Sequence, residues 1–396
     1  MKQVEPLSTH LLKKCKEYWN PGTDLAVDES MERFQGRSHD TLTIPSKPEP
    51  TGFKIWCTAQ LGYTLHWIYH QKSKGPVGIK PPKGLNKTNA VVVRSLEALP
   101  KQPYCAWLDN LFVSHKLLTH LRSKGFGAAG TARKNSGIVK KLAVLKESEK
   151  GKDIYPWGTV IKEISQDNQV MKMLLKDNDL VLFQSTVHTG DEEPVTQNRK
   201  RPSKTSSKAK TARAPFGDQP RKDLDIPLIA YEYNHKMNQV DIADHLASSS
   251  AGLHKIHKGW KALWWFLCRR VVVNAFLLSY YSNVPKEEKF TNQTNFREEL
   301  IGGLFDKSQR LIHKRRRSEW MKAAVPLNSN VPHQLEWLGK ERSCQVCGTV
   351  KRRRILGELD NNVDFGGRKK SVYGCKACDV SLCKEGLCFD RFHECT

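Results

Sequence analysis

Residues Tyr104–Phe112 read YCAWLDNLF, and the rest of the chain is organised around them. Bulky residues lead up to Asp109, and Asn110 follows it. The next stretch, SHKLLTHLRSKG, has the spacing of a helix through Leu117, Leu118 and Leu121, with Gly125 placed to end it. A strand is therefore expected to deliver one carboxylate to its C-terminal end, just ahead of a helix. Sites form at that end of open α/β sheets. Taken alone, the stretch also fits a turn aspartate that caps the next helix. Two further carboxylates have comparable settings. Asp28 ends the apolar run Leu25-Ala26-Val27, and Asp241 follows Val240 at the start of an expected helix.

The chain has 396 residues, room for two or three domains and one large core. Lysine and arginine outnumber acids 65 to 41, a formal net charge of +24. Such an excess, clustered rather than spread, points to a polyanionic partner, of which nucleic acid is the usual one. The N-terminal MKQVEPLSTH has no apolar centre of a signal-peptide kind. The most apolar stretch, Ala262–Leu278, carries Arg269 and Arg270 at its middle, where lipid penalises charge. It reads as a buried helix, and no membrane partner is expected. Four of eleven cysteines are scattered (Cys15, Cys57, Cys105, Cys268), and seven crowd into Cys344–Cys395. That uneven usage fits a reducing compartment better than a secreted disulfide scaffold.

In chain order, residues 1–20 read as a helix, Leu25–Asp28 as a short strand and 41–47 as extended chain. Phe53–Cys57 and Tyr63–Tyr69 read as strands about a turn near Gln60–Gly62. Residues 71–90 look loop-like, Ala90–Leu99 helical, and GAAGTARK a small-residue strand. The run VMKMLLKDNDLVLFQSTVHT suggests two strands about a DND turn. Asn198–Lys222 is rich in lysine, arginine, serine, threonine and proline with few apolar residues, and is expected to be disordered. HKRRRSEW (His313–Trp320) suits a nuclear-import signal, a DNA-backbone contact or a solvated helix face.

The C-terminal tail has the clearest local chemistry. Cys344 and Cys347 form one C-x2-C pair, Cys375 and Cys378 another, followed by Cys383, Cys388, His393 and Cys395. Zinc takes four nitrogen or sulfur ligands in a tetrahedron, and C-x2-C presents two thiolates from one tight turn. Two zinc ions need eight ligands. Six cysteines and His393 supply seven, leaving His333 or Cys395 as the eighth. The basic flanks Lys351–Arg354 and Arg368-Lys369-Lys370 favour a nucleic-acid reader over a chromatin-peptide reader or a ubiquitin-ligase type.

Five stretches, in order, resemble the piggyBac-type DDE transposases and the piggyBac transposable element-derived proteins. They are PGTDLAVDES, RFQGRSHDTLTIPSKPEPTGFKIW, LDNLFVSHKLLTHLRSKGFGAAGTARKN, YNHKMNQVDIADHL and the tail CxxC…CxxC…C…CFxxFH. The resemblance implies an α/β catalytic domain of the ribonuclease-H-like fold: a mixed sheet with an inserted segment, a helical region after the third aspartate, and a small two-zinc cysteine-rich domain. Residues 1–134 would form the first part of that catalytic domain, and 135–222 the insertion holding the basic stretch 198–222. Residues 223–325 would complete it with a helical DNA-binding or dimerisation region, and 330–396 would bind zinc. The family's three metal-binding aspartates fall on Asp28, Asp109 and Asp241, with a supporting acid at Asp244. Two Mg2+ or Mn2+ ions, double-stranded DNA as transposon ends and target, a TTAA-type target, a homodimer and nuclear localisation are implied. The family has a long region before its first aspartate, so an N-terminally shortened form is expected. Two functions follow: a DNA transposase that cuts and joins strands, or a domesticated or truncated, catalytically inactive DNA-binding protein.

Overall fold

The computed structural model describes residues 1–45, 49–72, 74–149, 154–205, 209–248, 256–283, 285, 289–305, 332–347, 369–385 and 387–394. The chain divides into two compact units, Met1–Arg297 and Glu298–Thr396.

The first unit is built on one mixed sheet. Its strands are β1 (Asp24–Arg33), β2 (Thr41–Thr43), β3 (Thr51–Gln60), β4 (Tyr63–Gln71), β5 (Gly75–Pro76), β6 (Cys105–Leu108), β7 (Gly127–Thr131), β8 (Val160–Ile164), β9 (Met171–Lys176) and β10 (Leu180–Ser185). They run in the order β5-β4-β3-β1-β6-β7-β10-β9-β8, with β2 beside β3. The centre is parallel: Val27 of β1 lies opposite Leu108 of β6, and Leu108 opposite Gly130 of β7. Antiparallel strands flank it, β3 on β1 and β10 on β7. Parallel strands need cover on both faces, and Leu25, Ala26, Val27, Ala106 and Leu108 are fully buried. Gly130 has a packing reason: a Cβ there would stand 1.9 Å from the carbonyl oxygen of Leu108.

The helices include α1 (Glu5–Tyr18), α2 (Lys87–Glu97), α3 (His115–Ser123), α4 (Lys140–Glu149), α5 (Ala209–Arg213), α6 (Leu228–Lys236), α7 (Gln239–Ser248) and α8 (Gly259–Tyr281). Asn86 and Asn89 form a reciprocal capping box at the start of α2. Helix α7 packs on β1, β3 and β4, and α8 packs on α7, α1, β1 and β4. By length and composition α8 could cross a membrane. Here it buries Ala262, Leu263, Phe266, Leu267, Val273 and Leu277 against the sheet and its helices.

Two expectations change. The strand expected at Leu25–Asp28 runs on to Arg33, so Asp28 sits within β1 rather than at its end. The polar half of that strand is matched by distant partners: Lys54 on Glu29 at 2.8 Å, Asp244 on Ser30, and Arg269 on Glu32. The stretch 198–222 is not disordered at its ends. Strands β11 (Val195–Lys200) and β12 (Arg221–Ile226) pair as an antiparallel ribbon, with α5 between them. Side-chain bonds cross the ribbon at Thr196–Asp225 and Asn198–Asp223, and Ala212, Phe216, Leu224 and Ile226 anchor it. These few buried residues and cross-strand pairs stabilise what composition alone marks as unstructured. Residues 160–185 join the main sheet directly.

The second unit, where described, has β13 (Leu335–Ser343), β14 (Lys370–Cys375) and β15 (Val380–Ser381) in one small sheet, and helix α9 (Cys388–Glu394). Its basic stretches 313–317 and 351–354, and Cys395, lie outside the described residues.

Candidate active site and metal centres

The parallel register decides where the first two carboxylates lie. Because Val27 is level with Leu108, the next residues along stand at the same height on neighbouring strands, Asp28 within β1 and Asp109 just past the end of β6. Asp109 is not the cap of α3. That role belongs to Ser114, whose side chain accepts from the Leu117 N–H at 3.2 Å. Asp109 Oδ1 instead accepts from the N–H of Asn110 and from the Thr131 hydroxyl at 3.4 Å. Thr131 occupies the matching height on β7, one residue past the Leu108–Gly130 pair.

The third carboxylate arrives on α7. Asp241 is the third residue of that helix and is solvent-exposed. One turn on, Asp244 accepts from Ser30 Oγ at 2.8 Å and pairs with Arg270 of α8. Ser30 is two residues beyond Asp28 and so shares its face of β1. The contact thus lays the start of α7 along the face that carries Asp28. Tyr233 of α6 lies within electrostatic reach of all three acids. Burial pushes its phenol up to about 12, helped by the negative charges of Asp109, Asp28 and Asp241.

The four acids are not equivalent. Asp244 is neutralised by a guanidinium that is 3% exposed. Among the described residues, neither Asp109 nor Asp241 forms an ion pair. Carboxylates without an ion-pair partner suit a hard divalent cation, which takes oxygen ligands. Among the described residues, the groups whose ligand atoms lie within 4.8 Å of one another do not include Asp28, Asp109 and Asp241. Neither Thr131 nor Tyr233 stands out in the sequence. Thr131 is singled out only by the β6–β7 register, which the structure supplies.

The second unit gathers two sets of metal-ligand residues, His333, Cys375, Cys378 and His393 in one, and Cys344, Cys347, Cys383 and Cys388 in the other. Within each set the ligand atoms lie within 4.8 Å of one another. The Cys347 sulfur is 3.6 Å from that of Cys383 and 3.7 Å from that of Cys388. Two sulfurs on a tetrahedral zinc stand about 3.8 Å apart for bonds of about 2.3 Å, so the spacing suits a shared ion. His333 Nδ1 lies 3.4 and 3.3 Å from the sulfurs of Cys375 and Cys378. His393 Nδ1 meets the Phe389 carbonyl at 2.8 Å, which turns Nε2 towards Cys378. The sets interleave along the chain: 333, then 344 and 347, then 375 and 378, then 383 and 388, then 393. Among the described residues, four cysteines and Leu382 are the buried cluster of this unit, where a shared metal would add stability. Among the described residues His333 is the fourth member of the set with Cys375, Cys378 and His393.

A mixed sheet that gathers carboxylates at matched strand heights defines the class to which known proteins can be compared. The family model described as Transposase IS4 matches residues 1–276, and the chain belongs to that family. Its similarity lies with the piggyBac group. It is 34% identical to the human PiggyBac transposable element-derived protein 2 over 109 residues, 26% of this chain and 18% of that protein. It is 31% identical to the human PiggyBac transposable element-derived protein 3 over 156 residues, 38% of this chain and 26% of that protein. Each match spans about a quarter or less of the relative's length. The fold is similar to that in a cryo-EM structure of the piggyBac transposase synaptic complex with hairpin DNA. The TM-score is 0.61 at 19% identity, covering 91% of this chain and 62% of that one.

Proposed function

We propose that the chain is a metal-dependent DNA transposase that cleaves and joins strands at transposon ends, with a TTAA-type target. The single observation that carries the reading is the shared height of Asp28 and Asp109 on parallel strands. The packing of α7, which carries Asp241, on β1 supports the third position. We assign the mixed sheet to the ribonuclease-H-like fold on its antiparallel β3-β1 and parallel β1-β6-β7 order. We take residues 1–134 and 223–297 as its two parts, 135–222 as an insertion whose strands β8, β9 and β10 extend the sheet, and the metal-ligand sets of the second unit as the metal-binding domain. The expected boundary at 325 lies outside the described residues and past the division at Arg297.

Asp28, Asp109 and Asp241 would hold two Mg2+ or Mn2+ ions. Such ions supply activation of an attacking oxygen and stabilisation of the leaving one. The chain's own residues do the positioning. Strands β1 and β6 fix two carboxylates at one height, and α7 presents the third at its N-terminus. Asp244 would serve a supporting role by locking α7 to Ser30 and Arg270. Zn2+ would occupy both four-ligand sets of the C-terminal unit. The surplus of lysine and arginine, 65 against 41 acids, favours double-stranded DNA as partner and the nucleus as location. A homodimer follows from the family resemblance.

The test is nicking of supercoiled plasmid by the full chain with Mg2+ or Mn2+, against an EDTA control. Metal-dependent nicking supports the enzyme. Tight DNA binding with no nicking under either metal would instead establish a DNA-binding protein.

A further inference from the structure

Thr131 Oγ1 lies 3.4 Å from Asp109 Oδ1 and 3.2 Å from the Tyr233 hydroxyl. The directions of these two contacts can be worked out. An ionised carboxylate only accepts hydrogen bonds, so Thr131 must donate to Asp109. A threonine hydroxyl has one proton, so it has none left for Tyr233, and Tyr233 must donate to Thr131. Its phenol keeps that proton at neutral pH. The chain of contacts therefore runs from Tyr233 to Thr131 to Asp109. With the N–H of Asn110 it loads Oδ1 of that carboxylate with two donors. No described residue bonds to Oδ2.

The relay also spans the fold. Thr131 ends β7, while Tyr233 belongs to α6, whose last residue lies three before Gln239 of α7. The Tyr233 ring is held edge-on against Phe183 of β10, with centroids 5.7 Å apart. One hydroxyl thus joins the strand next to Asp109 to the segment that leads to Asp241.

We propose that Tyr233 is a positioning residue that acts through Thr131 to turn Oδ2 of Asp109 towards a divalent cation. The inference rests on the metal-centre reading above. Both contacts are longer than the 2.7–2.8 Å typical of hydroxyl donors, so each should matter by about two- to tenfold rather than by orders of magnitude.

The test is Mn2+ binding by calorimetry on the full, zinc-replete chain, with thermal unfolding to check the fold. Tyr233→Phe keeps the ring and removes only the donor, and should weaken Mn2+ binding about two- to tenfold. Thr131→Val should do the same, and Thr131→Ser, which keeps the hydroxyl, should bind as the wild type does. The double variant Tyr233→Phe/Thr131→Val should bind no worse than Thr131→Val alone, because Tyr233 acts only through Thr131. Unchanged binding in Tyr233→Phe, or effects that multiply in the double variant, would overturn the relay. Asp109→Asn separates the two levels. If it loses Mn2+ while Tyr233→Phe does not, the relay alone fails. If Asp109→Asn binds Mn2+ as the wild type does, the metal-centre reading fails and takes the relay with it.

Discussion

Asp244 and Arg270 form an ion pair with unequal burial: the guanidinium is 3% exposed and the carboxylate 33%. Ser30 Oγ lies 2.8 Å from the acid and 2.9 Å from the arginine, which ties α7, α8 and β1 together. Arg270 Nε and Nη1 are buried and find no hydrogen-bond partner among the described residues.

Removing the acid would therefore strand a buried cation. Breaking a buried pair costs about 3–5 kcal/mol, because the remaining charge stays uncompensated. Asp244→Ala should lower stability towards that range, discounted for the partial exposure of the acid. Asp244→Asn, which can still accept from Ser30, should cost less. Urea unfolding at constant slope gives the number. If Asp244→Ala unfolds as the wild type does, the pair is not a structural lock.

Acid should destabilise the first unit through His66. Burial pulls its imidazole down to about 4, helped by the positive charges of Lys16 and Arg94. In the unfolded chain it titrates near 6.5. Between those values the unfolded state binds more protons, so stability rises with pH there. The contribution is complete above about pH 6.5 and is lost as pH falls towards 4, a change of about 3 kcal/mol. His66→Gln should flatten this part of the stability profile measured by urea unfolding. An unchanged slope would show that other groups set it.

Native mass spectrometry of the intact chain should find two zinc ions. Cys344→Ser should lose one ion from the all-cysteine set, and His333→Ala one from the mixed set. Cys395→Ser should keep both, since each set already has four ligands without it. Loss of an ion in Cys395→Ser would contradict the assignment of His333.

DNA affinity should fall steeply with salt. Each phosphate neutralised adds roughly −0.9 to the slope of log affinity against log salt. Lys200, Arg221 and Lys222 are exposed on the β11–β12 ribbon. Replacing all three with alanine should make the slope shallower by up to about 2.7 and weaken all sequences alike. An unchanged slope would place the ribbon away from DNA.

How much could be read in the sequence depended on how local the cause was. The strand ahead of Asp109 and the helix after it are written in adjacent residues: CAWL, the Ser114 cap and Leu117, Leu118 and Leu121. The extent of β1 was not, because Glu29, Ser30 and Glu32 are made acceptable in a strand by Lys54, Asp244 and Arg269, up to 237 positions away. The β11–β12 ribbon was missed for the same reason. Its polar strands are matched to each other across about 25 residues, as in Asn198 with Asp223. The C-x2-C pairs announced ligands, but which ligands share an ion depends on how β13, β14 and α9 fold together. Spacing therefore left His333 and Cys395 tied.

The central claim is that Asp28, Asp109 and Asp241 work as one metal-dependent centre for strand cleavage. Asparagine keeps the shape of each side chain and removes its charge. The most direct measurement is plasmid nicking in Mn2+ by the full chain and by each single Asp→Asn variant, with gel-shift affinity in the same buffer. Each variant should lose nicking on the order of a hundredfold or more, which is about 2.7 kcal/mol of transition-state stabilisation. DNA affinity should be unchanged or slightly higher. A wild type that nicks, beside an Asp109→Asn variant that nicks equally well, would contradict the account.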